Sequence, residues 1–315
     1  MDALNGRSQF GLEPMEDAVG ADAPRAPGPP PAFDILQPEG CEPGRPPSPL
    51  VFASPHSGRY YPPGLLAQSA LNAETIRRSE DAYVDRLIGG GPAFGAVNIQ
   101  ARYARAYIDV NREAYELDPA MFEDELPTFA RARSARVAAG LGSIAKVVAE
   151  GQEIYRGKLI FADARGRIDG VHHPYHRALT GLVERARAAH GAAILIDWHS
   201  MPSSAAGEGP HGRRGCDMVL GDRFGSACAS GLTRLVDGAL EGMGFRVARN
   251  APYAGGYTTE FYGRPEAGVH ALQIEINRAL YLDEASLQPN AGFERLKRDL
   301  ERLFKTLAKD WRKVA

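Results

Sequence analysis

The sequence predicts an α/β domain with a largely parallel or mixed sheet, and three observations carry that reading. From about Pro49 onward, apolar runs of strand length alternate with segments of helical period. One of these runs, Ala192-Ala193-Ile194-Leu195-Ile196, is apolar at every position, as in a strand covered on both faces. No self-similarity with a period of roughly 20–50 residues points to a repeat architecture instead.

The elements follow in order. Pro49–Ser54 is a short apolar run closed by Pro55 and reads as a buried strand. Ala73–Ile88 places Ile76, Tyr83, Val84, Leu87 and Ile88 on one helical face, and Gly89-Gly90-Gly91-Pro92 ends it. Ala96–Ile99 and Ala106–Val110 read as strands, and Ala145–Tyr155 as a helix. A helix over Pro174–Ala189, with Leu179, Leu182 and Val183 along its face, precedes the Ala192–Asp197 strand. Then come a strand at Cys216–Leu220, a helix over Ser226–Met243, and strands at Phe245–Ala248 and His270–Ile276. The last element is an amphipathic helix over Phe293–Val314, with Leu296, Leu300, Leu303, Phe304 and Leu307 on its apolar face.

Composition narrows the function classes. A chain of 315 residues holds one large or two medium domains. Lys and Arg number 37 against 39 Asp and Glu, a net charge of −2, which removes the electrostatic case for a nucleic-acid binder. No apolar run approaches the ~18–20 residues that span a bilayer, and the first residues lack the basic and apolar regions of a signal peptide. Cys41, Cys216 and Cys228 form no disulfide framework, so the expected location is cytoplasmic. Residues 1–48 are dense in Pro and Gly and read as a mostly extended or disordered arm, with Phe33-Asp34-Ile35-Leu36 as an apolar island suited to docking on the 49–315 domain. No G-x-G-x-x-G follows the early strands and no Walker A motif exists, so nucleotide binding has no support.

The informative polar residues cluster at strand ends, where open α/β sheets carry their sites. His56, in Ser54-Pro55-His56-Ser57-Gly58, directly follows an apolar strand; it is a metal-ligand candidate or an ordinary loop residue. Asp197-Trp198-His199-Ser200 ends the most apolar strand, and burying Asp197 there demands a partner. A metal or acid/base site supplies one, and so does capping of the next turn. Glu275 lies between two isoleucines, where desolvation raises a carboxyl toward the range of a general base; pairing with an arginine is the alternative. Arg105 and Arg112, near Asn111, are candidates to clamp an anionic substrate, while Asp109 beside them reads as a structural ion-pair partner. A carboxylate from Glu80-Asp81 beside His56 would complete a two-His, one-carboxylate set with an open position for water. His176, in His172-His173-Pro174-Tyr175-His176, is a ligand-contact candidate at a helix start or part of a surface cluster. Gly255-Gly256-Tyr257 reads as a loop closing over a site or as a surface turn.

Taken together and in order, these segments, with Tyr107–Arg112, Pro174-Tyr175-His176 and Val269–Glu275, resemble the N-formylglutamate amidohydrolase family over roughly Leu50 to Leu282. The family looks like a distant relative of zinc carboxypeptidases and aspartoacylases. The resemblance implies a single α/β domain with a central mixed sheet flanked by helices, zinc-carboxypeptidase-like (phosphorylase/hydrolase-like). It implies His56 and His199 as ligands of one divalent metal ion, most readily Zn. Glu275 would be the base, Arg105 or His176 an aid to the oxyanion, and Asn111 with Arg112 the holder of a substrate carboxylate. The carboxypeptidase pattern has a ligand Glu three residues after its first His, and Arg59 stands there instead. The carboxylate ligand must then come from elsewhere, with Asp81 the best fit and Glu80 the alternative.

The expected activity is metal-dependent hydrolysis of a small anionic N-acyl amino acid, first N-formyl-L-glutamate to formate and glutamate, late in histidine breakdown. Tyr257 joins the substrate-binding set, and neither nucleic acid nor membrane is a partner. A deacylase of another N-acyl amino acid, a small carboxypeptidase or peptidoglycan-type amidase, and a non-catalytic carboxylate-binding module are the competing readings.

Overall fold

The computed structural model describes residues 28–41, 44–207 and 215–313. Seven strands form one mixed sheet: β1 (Phe33–Leu36), β2 (Leu50–Ser54), β3 (Val97–Ala101), β4 (Ala193–Met201), β5 (Met218–Gly221), β6 (Val247–Arg249) and β7 (Val269–Asn277). Their spatial order is β1-β3-β2-β4-β7-β5-β6. The central β3, β2, β4 and β7 run parallel, and β1 and β5 pair antiparallel with β3 and β7. The Phe33–Leu36 island is thus an edge strand, in register with Asn98–Ala101. Of the mostly extended or disordered arm expected over residues 1–48, residues 1–27 and 42–43 lie outside the described residues.

The pleat explains how one sheet carries both a core and a site. Leu50 and Phe52 of β2, Ile194, Ile196 and Trp198 of β4, and Leu272, Ile274 and Ile276 of β7 share one apolar cluster. The helices Ser230–Gly242 and Phe293–Asp310 cover that face. On the opposite face Val51, Ala53, Ala193, Leu195 and Ala271 pack toward the His173–His190 helix. Side chains alternate with period 2. Asp197 and His199 therefore continue the Leu195 face, and Gln273 and Glu275 continue the Ala271 face, toward the carboxyl ends of β4 and β7. The register pairs Asp197 with Gln273 and His199 with Glu275.

Three expected elements differ. The Ala73–Ile88 helix is two short pieces, a 3₁₀ turn at Thr75–Ser79 and a helical turn at Val84–Leu87. Between them the Asp81 backbone N–H donates to His56 O at 3.0 Å, and Tyr83 takes a left-handed φ of 63°. Ala106–Val110 is not a strand. Tyr107 and Ile108 donate to Ala104 O, and Asp109 donates to Ser143 O, so its backbone bonds go to a local turn and a distant loop. Ala145–Tyr155 is a folded-back segment in which Val147 faces Glu153 and Ile154 donates to Lys146 O, with only Ala149–Gly151 as a 3₁₀ turn. In each case apolar residues pack as expected while some backbone groups find partners that a regular helix or strand would not give them. Among the described residues, no helix is long and apolar enough to cross a membrane.

Candidate active site

The carboxyl ends of β2, β4 and β7 meet at one polar centre. His56 comes from the turn after β2, His199 from the end of β4, and Asp81 from the break between the two short helical pieces. All three are buried, and their candidate ligand atoms lie within 4.8 Å of one another. Asp81 Oδ2 is 3.0 Å from His199 Nδ1 and 3.4 Å from His56 Nδ1. The Ser57 hydroxyl donates to Asp81 O at 3.0 Å and accepts from Asp85 N, which fixes the turn carrying His56 against the Asp81 segment. Gly58 allows the close approach that follows: a Cβ there would stand 2.1 Å from Tyr103 O.

The imidazoles are held from behind by acids. His56 Nε2 is 2.6 Å from Asp109 Oδ1, and His199 Nε2 is 2.9 Å from Asp197 Oδ2. Burial pushes the Asp109 carboxyl up, but Arg105, His56 and Arg112 outweigh it and hold it well below the usual carboxylate range. Burial likewise acts against ionised Asp81, and the neighbouring imidazoles of His199 and His56 hold that carboxyl well below its ordinary value. For His199, burial acts against the imidazolium, yet Asp197, Asp81 and Glu275 raise its pKa well above the ordinary range. The centre thus favours positive charge.

The residues fit one divalent cation on two counts. The buried His56 Nδ1 has no hydrogen-bond partner among the described residues, and it faces the other two donors. Two neutral imidazoles and one carboxylate, each imidazole backed by a second carboxylate, form a donor set suited to such an ion.

Glu275 stands beside this centre, buried on β7. Burial pushes its carboxyl up to about 7, with Asp81 adding to the rise and His199, Arg105 and Arg278 opposing it. Gln273 orients it, donating to Glu275 Oε1 at 2.9 Å while its own Oε1 accepts from Gly256 N at 2.7 Å. A carboxyl poised near neutrality can exchange a proton with a reacting group at working pH.

A cavity of about 380 Å³ opens onto His56, Asp81, His199 and Glu275 and is also lined by Arg105, Asn111, Arg112, Arg136, Tyr253 and Arg278. Arg105 Nη2 donates to Asp109 Oδ2 at 2.6 Å. Asn111 lines the cavity but its side chain is committed: Nδ2 lies 3.0 Å from His199 Nε2 and 3.1 Å from Asp197 Oδ2, and Oδ1 accepts from Thr258 N at 2.7 Å. Gly256 makes room for it, since a Cβ there would stand 2.6 Å from Asn111 Nδ2. Arg112 donates to Leu141 O and Asn111 O and presents Nη2 4.0 Å from Asp109.

Two expected substrate contacts, His176 and Tyr257, are not among the residues that line the cavity. His176 Nε2 is 2.7 Å from Val110 O, and its Nδ1 is 2.9 Å from the Tyr262 hydroxyl. Tyr257 packs against His176 at 5.3 Å between ring centroids and stacks on Phe261. Glu80 is engaged elsewhere, accepting from Tyr61 OH at 2.7 Å and Arg77 Nε at 3.0 Å.

Sequence reasoning did not single out Arg278, Gln273 or Arg136. Arg278 Nη2 donates to Asp81 Oδ1 at 3.1 Å and Glu80 O at 2.8 Å, and its Nε to Ser200 Oγ at 3.1 Å. Gln273 lies two residues before Glu275 on the same strand face, a signal that the period-2 rule makes legible. Arg136 comes from the single helical turn Ala135–Ala138, too short to leave a periodic mark.

A family model described as N-formylglutamate amidohydrolase matches residues 48–282. The chain is 30% identical over 241 residues to N-formylglutamate deformylase of Pseudomonas aeruginosa, covering 75% of this chain and 83% of that one. It is 27% identical over 248 residues to N-formylglutamate deformylase of Pseudomonas putida, covering 75% and 82%. The crystal structure of N-formylglutamate amidohydrolase from Ralstonia eutropha JMP134 aligns with a TM-score of 0.82 at 38% identity, over 90% of this chain and 99% of that one. The mixed sheet, the residues at its carboxyl edge and these likenesses agree, and the chain belongs to the N-formylglutamate amidohydrolase family.

Proposed function

We propose that this protein hydrolyses the amide of a small N-formyl amino acid, first N-formyl-L-glutamate, giving formate and glutamate at a site that requires one divalent cation, zinc by preference. The observation that carries the reading is the buried Glu275 carboxyl, raised to about 7, beside the His56–Asp81–His199 cluster. The names of the Pseudomonas and Ralstonia relatives support the substrate. Such a step serves the end of histidine breakdown.

His56, Asp81 and His199 would hold the cation, which would supply Lewis-acid chemistry toward water and the formyl carbonyl. The chain's own residues do the rest. Glu275, as carboxylate, takes a proton from the attacking water and delivers it to the departing amine nitrogen. Arg105, braced on Asp109, directs its remaining N–H groups at the oxygen where negative charge develops. Arg112 holds the substrate α-carboxylate and so fixes the amide relative to Glu275. Asn111 positions His199, and His176 positions the Val110 carbonyl next to it.

Formate release from a panel of N-formyl amino acids tests the reading. The expected result is turnover of N-formylglutamate that a chelator abolishes and a divalent cation restores. An inert N-formylglutamate with other acyl amino acids hydrolysed would overturn the substrate, and turnover untouched by thorough chelation would overturn the cation.

A further inference from the structure

A substrate with two carboxylates needs a second cationic partner besides Arg112. The arginines around the cavity differ in how they are occupied. Arg105 is tied to Asp109, and Arg278 to Asp81, Glu80 and Ser200. Arg136 donates no side-chain hydrogen bond to any described residue. Its nearest acids, Glu116 and Glu260, stand 3.8 and 4.0 Å away, and Glu260 lies closer, at 3.3 Å, to Arg223.

The placement of Arg136 is nonetheless firm. It sits on the Ala135–Ala138 turn, whose cap Ser134 accepts from Val137 N at 3.0 Å and donates to the buried Glu116. Leu141 links it to Arg112: Leu141 N donates to Arg136 O at 2.8 Å, and Leu141 O accepts from Arg112 Nε at 2.9 Å. One residue, Leu141, therefore ties the Arg136 backbone to the Arg112 guanidinium, and both arginines line the same cavity. Neighbouring guanidiniums repel, and a dianion spanning both removes that cost.

We infer that Arg136 binds the side-chain carboxylate of an N-acyl dicarboxylic amino acid while Arg112 holds its α-carboxylate, which makes Arg136 the specificity-determining residue for an acidic substrate; this rests on the deformylase reading above. The test is the ratio of kcat/KM for N-formylglutamate to that for N-formylglutamine, its neutral counterpart, in wild type, Arg136→Met and Arg136→Gln. The ratio cancels the fraction of folded enzyme, so a partly unfolded variant still reports. The methionine variant is expected to lower it about 100-fold, mostly through KM on N-formylglutamate, as loss of a charge-assisted pair implies. A ratio unchanged in both variants, with deformylation intact, overturns the inference and leaves the reaction standing. Calorimetry with glutarate and butyrate on the same proteins reads the pocket without turnover. Glutarate preferred by wild type and not by Arg136→Met supports the assignment even if no formate is released, an outcome that would sink the deformylase reading alone. Equal glutarate binding by both proteins contradicts the assignment.

Discussion

His56 Nε2 and Asp109 Oδ1 lie 2.6 Å apart with both side chains buried, so the face of the imidazole opposite Nδ1 is fixed by a carboxylate. Such backing orients a ligand histidine and raises its basicity. Asp109→Asn keeps the shape and removes the charge. Affinity for a divalent cation is expected to fall about 10–100-fold, read by competition with a chromogenic chelator. Unchanged affinity would show that His56 does not depend on this pair.

Glu275→Gln keeps the contact with Gln273 and removes the base. Turnover is expected to drop at least about 10³-fold with substrate binding retained. The wild-type kcat/KM should fall as pH decreases toward and below 7, because only the ionised carboxylate accepts a proton. A bound cation nearby moves that limb to lower pH. A variant with near-normal turnover would take Glu275 out of the reaction.

Burial pulls the pKa of His176 down to about 3 and that of neighbouring His172 to about 4. Both are neutral in the fold, with Nε2–H donating to Val110 O and Arg112 O. Unfolded histidine titrates near ~6.5. Between these values the unfolded chain binds more protons, so their contribution to stability is complete above about 6.5 and is lost as pH falls. Melting temperatures between pH 7.5 and 5 should decline with acid, and less steeply in His176→Gln, which keeps a donor but does not titrate. Equal slopes would contradict a neutral, buried His176.

Phe304 of the Phe293–Asp310 helix is fully buried, with its ring 4.9 Å from Phe52 and 5.6 Å from Trp198. Those two residues stand on β2 and β4, the strands that lead to His56 and His199. Phe304→Ala is expected to cost about 3–5 kcal/mol in urea unfolding. A loss under about 1 kcal/mol would mean that this contact does not brace the site strands.

The sheet was legible in the sequence where apolar residues dominate: Ala193–Ile196, Leu50–Ala53 and the alternating Leu272, Ile274 and Ile276 all lie in it. The polar residues that break the runs, His199 and Glu275, mark the edge of the site for the same reason, since a charged group on an apolar strand needs a partner. What periodicity could not show is where Asp81 turns. Its helical spacing is that of Ala73–Ile88, but the backbone bond from Asp81 N to His56 O breaks the helix and faces the carboxylate inward. His176 and Tyr257 read as ligand-contact candidates because helix starts and glycine loops often hold them, and their side chains here also contact Val110, Tyr262 and Phe261. Arg136 carried no local signal, because its place depends on Leu141 and Glu116.

The most direct measurement is the count of divalent ions per chain by elemental analysis, on purified wild type and on His56→Ala, Asp81→Asn and His199→Ala. One ion per wild-type chain, lost in each variant along with formate release from N-formylglutamate, is the expected result. Full ion content in all three variants, or formate release from metal-stripped wild type, would contradict the account.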